Sequence, residues 1–270
     1  MTVRPVVPGM SVLAVLMLAG GATACGGREP APAPAATIAS APPDPDDEAR
    51  TALAARAALA EDHRFAALYH FDPPGAPERN VVATVATDGS WRVDIAGGAL
   101  GGSADVSVVS NADGVYQCSL PSVANPISPS CVRVADAGKR IPKAYDPKVQ
   151  RLFRTWLGTF TDRQSALSVT PAAPLAGADT AGGSSCFAVD SISASLNPPV
   201  DVGIYCYAEN GLLTAAKVDF GLLTLASTPV APPAKVDLPG PVGAGAALGT
   251  ASPPPPPLPP PTSSATTPAR

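Results

Sequence analysis

Two histidines, His63 and His70, and five cysteines, Cys25, Cys118, Cys131, Cys186 and Cys206, are the residues of this chain best equipped for nucleophilic, metal or redox chemistry. A Ser-His-Asp relay needs a histidine within reach of a serine hydroxyl and a carboxylate. The G-x-S-x-G turn that exposes such a serine is missing, and "GGSSC" does not supply it. Two isolated histidines read as surface or edge residues. No two cysteines stand two residues apart, so neither a Cys-x-x-Cys redox pair nor close-paired zinc ligands are present. The acids gather in a linker and at turns, where solvation accounts for them. These patterns point to binding rather than catalysis, with no metal or cofactor required.

The odd cysteine count is informative. The first residues have the three parts of an export signal: Arg4 with the amino terminus, an apolar run from Ser11 to Ala19, and small residues from Gly20 to Ala24. The apolar run is too short to span a bilayer, which takes roughly twenty residues. In an oxidising compartment five cysteines leave one over. "GATAC" resembles a bacterial lipobox, in which small residues precede a cysteine that becomes the acylated first residue. With Cys25 as that anchor, Cys118, Cys131, Cys186 and Cys206 make two disulfides without remainder. Three connectivities exist, and local pairing, 118 with 131 and 186 with 206, is the simplest. Two or more acyl chains hold a protein stably at a membrane.

The elements that would position these residues follow from composition and period. Residues 1–24 are read as a signal peptide, and 25–45 as the anchor cysteine with a Pro/Ala-rich linker. Residues 46–240 are read as one folded domain, and 241–270 as a disordered, polyproline-prone tail. The net charge of −4 becomes −5 on losing residues 1–24, and no lysine- or arginine-rich block is evident. A nucleic-acid partner is therefore not expected. An alanine-rich helix from Asp46 to about His63 opens the domain, its first-turn acids matching the helix dipole. Alternation at period two then marks strands: Trp91, Val93 and Ile95 on one face, Arg92 and Asp94 on the other. Hairpin turns are expected at Asp88-Gly89, Asp113-Gly114 and Asn210-Gly211. After the last of these, Leu212, Thr214, Ala216, Val218 and Phe220 are expected on one face.

Between the second and third hairpins, Asp146-Pro147 reads as a helix N-cap with proline at the first position. Val149, Leu152, Phe153, Trp156, Leu157 and Phe160 then follow helical spacing, with Lys148, Arg151, Arg154 and Arg163 largely on the other side. That stripe is expected against a sheet, although an interfacial membrane helix has the same residue types.

The stretches "ATDGSWRVDI", "NADGVYQC" and "GIYCYAENGLLTAAKVDFGLLTLAS", with the lipobox and helix before them, give a layout that resembles the LolA-like half-barrels. That superfamily includes the outer-membrane lipoprotein carrier, the amino-terminal domain of RseB-type regulators and the LppX–LprG lipoproteins. The resemblance covers roughly residues 46–240. It implies an α+β fold in which a curved antiparallel sheet, a half-barrel, packs against an N-terminal helix and a central amphipathic helix. It also implies an apolar cavity for a lipid or other apolar ligand, for which Val149, Leu152, Phe153, Trp156, Phe160, Trp91 and Val93 are the candidate lining residues. The partners expected are the membrane through Cys25, a lipid, or an envelope protein docked by a module with a filled core. The location expected is the outer face of the bacterial cell membrane.

Overall fold

Period-two alternation dominates the chain after residue 64, and it builds one sheet. In the computed structural model, residues 45–123, 126–178, 183–192 and 198–252 are described. The stretch read as a signal peptide, Cys25, the expected linker to residue 44 and the tail from 253 lie outside them. Among the described residues the fold is α+β, with an open sheet of eleven antiparallel strands and few helices.

Strands β1 (Phe65–Asp72), β2 (Arg79–Val85), β3 (Trp91–Ala99), β4 (Ala104–Asn111), β5 (Gly114–Ser119) and β6 (Ser130–Ala135) form one meander. Strands β7 (Leu167–Ala172), β8 (Ser184–Ser191), β9 (Gly203–Ala208), β10 (Leu213–Val218) and β11 (Gly221–Leu225) form a second. Antiparallel pairing of β1 with β11, Tyr69 opposite Leu225, joins them into the order 6-5-4-3-2-1-11-10-9-8-7. The hairpins fall near the expected turns. The second uses Ala112 and Asp113 as its two loop residues, because Asn111 pairs with Gly114 and its Oδ1 accepts from the Asp113 and Gly114 N–H groups.

Helix α1 (Pro45–Asp62) carries Asp46, Asp47 and Glu48 in its first turn and buries Ala49, Leu53, Ala57 and Ala60. Its last turn has no basic residue of its own. The Glu61 carbonyl instead accepts from Arg64 at 2.8 Å and from Arg154 at 2.9 Å, cations suited to the negative end of the helix.

The two faces of the sheet are treated differently. One face carries the main core, which gathers α1, Phe65, Tyr69, Val81, Val93, Ile95, Phe187, Tyr205, Tyr207 and the apolar residues of segment 149–160. The alternate residues feed two smaller clusters. One holds Cys118 and Cys131 with Val109, Tyr116 and Val236, and the other holds Cys186 and Cys206 with Ala178 and Ala215.

Two expectations need correction. Segment 146–161 is not a continuous amphipathic helix. Lys148 has φ +67°, and the Val149 N–H donates to the Pro147 carbonyl at 2.8 Å, closing a three-residue turn where a helix would begin. A 3-10 turn (Val149–Leu152) and a short helix α2 (Leu157–Thr161) follow. In β10 the register slips between Leu213 and Ala215, leaving Thr214 as the extra residue. Leu212, Leu213 and Ala216 therefore reach the main core, whereas the Thr214 hydroxyl approaches Ser184 and Cys206 with Ala215 beside it.

Residues 241–252, assigned to the tail from composition, run along the β6 side of the sheet. Cys131 N–H donates to the Pro241 carbonyl, and Gln117 exchanges hydrogen bonds with the Leu248 main chain. Leu100 and Gly101 donate to Gly249 and Thr250.

Candidate functional site

The local pairing of cysteines is the one observed: Cys118 with Cys131 and Cys186 with Cys206. Each bridge joins residues directly opposite in neighbouring strands, β5 with β6 and β8 with β9. All four are buried. The disulfides suggest an oxidising, extracytoplasmic location. Among the described residues, no helix is long and apolar enough to cross a membrane.

His70 Nδ1 stands 3.4 Å from Glu78 Oε1 at an exposed site. His63 lies against Phe65, and burial followed by the Arg64 charge pushes its imidazole below its ordinary value. Among the described residues, no group of three or more histidines, cysteines or acids is placed to hold a metal ion.

The broken segment 146–161 is the organising element of the site. Asp146 is 7% exposed and accepts from the Lys148 main chain at 2.9 Å, from the Gln150 amide, and from Arg151 at 2.9 and 2.6 Å. It thus fixes the turn and orients Arg151. On one side of Asp146 a cavity of about 370 Å³ opens, with Trp91, Val115, Ile141 and Trp156 among its apolar walls. Lys139, Arg140, Arg151 and Arg154 line the same space. On the other side, about 290 Å³ lies between Phe71, Ile95, Val149 and Phe220.

Of the residues expected to face a ligand, Trp91 and Trp156 line the larger cavity and Val149 the smaller. Leu152, Phe153, Phe160 and Val93 belong to the main core and line neither. Phe153 meets Tyr69 edge-on at 5.0 Å, and Phe160 meets Tyr205 at 5.0 Å. Those contacts fill the space behind the stripe with rings.

No protein-family model matches the chain, and no curated protein matches it in sequence.

Two features of the site went unread in the sequence. The cations of the larger cavity come from residues 139–154, which hold six of the chain's 18 lysines and arginines with Asp146 the lone acid. That local density was the available signal. The second is an ion cluster in which Lys148 Nζ lies 3.2 Å from Asp219 and 3.6 Å from Asp201. Burial raises the Asp201 carboxyl above its ordinary value and Asp219 adds to the rise, against the pull of Lys148 and Arg151.

Proposed function

We propose that this chain is an exported, lipid-anchored envelope protein that binds an apolar or amphiphilic molecule beside the 146–161 segment. Cys25 is its anchor, on the outer face of the cell membrane, and the Pro/Ala-rich linker holds the domain off the surface. Its sheet acts as a half-barrel of the LolA-like kind, with α1 and the 146–161 segment as the filling of the concave side. It acts by binding, not by catalysis.

The observation that carries this reading is the cavity of about 370 Å³ walled by Trp91, Val115, Ile141 and Trp156. Small-ligand sites run from roughly 300 to 1,000 Å³ and combine apolar walls with a few polar groups. The two buried disulfides are consistent with export. Native mass spectrometry of protein taken from its own membrane tests the reading, together with uptake of a fluorescent fatty-acyl probe. The expected result is a bound amphiphile and probe uptake that falls in Trp91→Ala. Recovery of empty protein that takes up no probe overturns it. Cys25→Ser is expected to move the folded protein from the membrane fraction to the soluble one.

One observation favours a second reading, an envelope interaction module. Leu152, Phe153 and Phe160 are buried in the main core, where Phe153 and Phe160 pack on Tyr69 and Tyr205, and they line neither cavity. Crosslinking in cells that traps one specific envelope protein, with no lipid recovered, selects that alternative.

A further inference from the structure

We propose that the cavity beside Trp91 takes an amphiphile with an anionic head group, held by Lys139, Arg140 and Arg154 with its apolar part against Trp91 and Ile141. The inference rests on the binding reading above and narrows its ligand. Four cations line this one cavity of a chain whose net charge is −4, and Asp146 is the only acid among the lining residues. Positive charge is therefore concentrated here against the balance of the whole protein.

Asp146 does not cancel that charge. Its oxygens are taken by Arg151, Gln150 and the Lys148 main chain, so it neutralises Arg151 alone. Arg154 uses Nη1 on the Glu61 carbonyl, with the Glu61 and Asp62 carboxylates attracting its charge from beyond ion-pair distance. Among the described residues, Lys139, Arg140 and Arg154 form no ion pair. Three cations at an apolar-walled cleft focus the field on whatever enters it. Guanidinium groups present paired donors that match the oxygens of a phosphate or carboxylate. Gln150, 1% exposed, lines the same cavity with its Oε1 accepting no hydrogen bond.

A lipid head group and a free anion share this chemistry, and a titration separates them. The chain's two tryptophans, Trp91 and Trp156, both line the cavity, so intrinsic fluorescence reports on it. The purified full chain is titrated with decyl phosphate below its micelle concentration, with decyl maltoside, and with inorganic phosphate. The expected order is decyl phosphate tightest, with decyl maltoside and inorganic phosphate each weaker by roughly tenfold or more. The double variant Lys139→Gln/Arg140→Gln, confined to exposed loop positions, is expected to bring decyl phosphate to the level of decyl maltoside and to flatten its salt dependence.

Equal binding of the two decyl compounds, or an unchanged double variant, overturns the anionic head while leaving the binding reading intact. Inorganic phosphate binding as tightly as decyl phosphate overturns the amphiphile and the binding reading together, leaving a bare anion site. Failure of all three ligands to bind overturns both.

Discussion

Lys148 reaches Asp219 with its ammonium at 3.2 Å while its own main chain holds φ +67°, a conformation that side-chain-bearing residues seldom adopt. The same ammonium stands 3.6 Å from Asp201 and 5.4 Å from the centre of the Phe220 ring. Backbone strain persists only where surrounding contacts over-determine it. Here those contacts come from the end of the β10–β11 hairpin and from the approach to β9. The turn that breaks the expected helix is therefore tied to residues 53 and 71 positions further along the chain.

Two substitutions at Lys148 separate strain from charge. Lys148→Met removes the ammonium and keeps the strained backbone. It is expected to destabilise by about 1–2 kcal/mol, since two carboxylates are left facing each other. Lys148→Gly removes the ammonium and relieves the strain, so it is expected to be milder than methionine by about 1 kcal/mol. Urea unfolding midpoints measure both. If glycine is the more damaging of the two, the positive φ at Lys148 is not a strained one.

The Asp201 carboxyl gives a pH dependence of defined sign. Burial, then Asp219, raises it above its ordinary value of 3.8, and Lys148 and Arg151 pull the other way without cancelling the rise. The folded chain then holds this proton more tightly than the unfolded chain. Stability from this group is complete below 3.8 and is lost as the pH rises through the raised value. Asp201→Asn lacks that loss. Relative to the parent protein, it is expected to gain stability between pH 3 and pH 7. Chemical denaturation at both pH values checks this, and a gap that is constant or widens in the parent's favour overturns it.

Strands were legible because alternation is a local property. Phe65, Ala67, Tyr69 and Phe71 are all buried on β1, as the period requires. Segment 149–160 shows where that logic stops. Val149, Leu152, Phe153, Trp156, Leu157 and Phe160 are each 5% exposed or less, as the helical spacing demands. Yet the conformation is a 3-10 turn followed by a short helix, because spacing of three also aligns side chains in a 3-10 turn. The periodicity reported which residues are buried, not the backbone that buries them. The turn at Lys148 depends on Asp201 and Asp219, which no local window contains. Thr214 tells the same story in β10, where one extra residue lets Leu213 join Leu212 and Ala216 in the main core while Thr214 leaves it. The cavity likewise assembles Trp91 from β3 with Arg140 from a loop and Arg154 from the broken segment.

Arg50 fastens α1 to the chain entering β7. Its guanidinium donates to the carbonyls of Leu167 and Ser165 at 2.6 Å, and to those of Asp162 and Arg163 at 3.1 and 3.2 Å. Charged donors to main-chain carbonyls contribute more than neutral ones, so Arg50→Ala is expected to cost about 2 kcal/mol. Lysine offers a point charge in place of a fork, and Arg50→Lys is expected to recover less than half of that. Thermal unfolding of both variants decides the matter. Full rescue by lysine would mean that charge alone, not the fan of donors, holds the loop.

The two disulfides are expected to stabilise the domain by similar amounts. They close loops of 13 and 20 residues, and chain entropy predicts about 3 kcal/mol for each, with a difference of only about 0.4 kcal/mol. They lie toward opposite edges of the sheet and in separate apolar clusters, so their effects should add. Replacing Cys118 and Cys131 by alanine, Cys186 and Cys206 by alanine, or all four, gives a three-variant cycle read by urea unfolding. The packing around each pair supplies the competing term. Val236, from the segment beyond β11, covers the 118–131 bridge, and Ala178 covers the 186–206 bridge. If loss of the first pair costs far more than loss of the second, loop entropy is not the deciding effect. The bridge is then acting chiefly as the seat on which residues 230–252 are held, and hydrogen exchange confined to that segment in the Cys118→Ala/Cys131→Ala variant would show it.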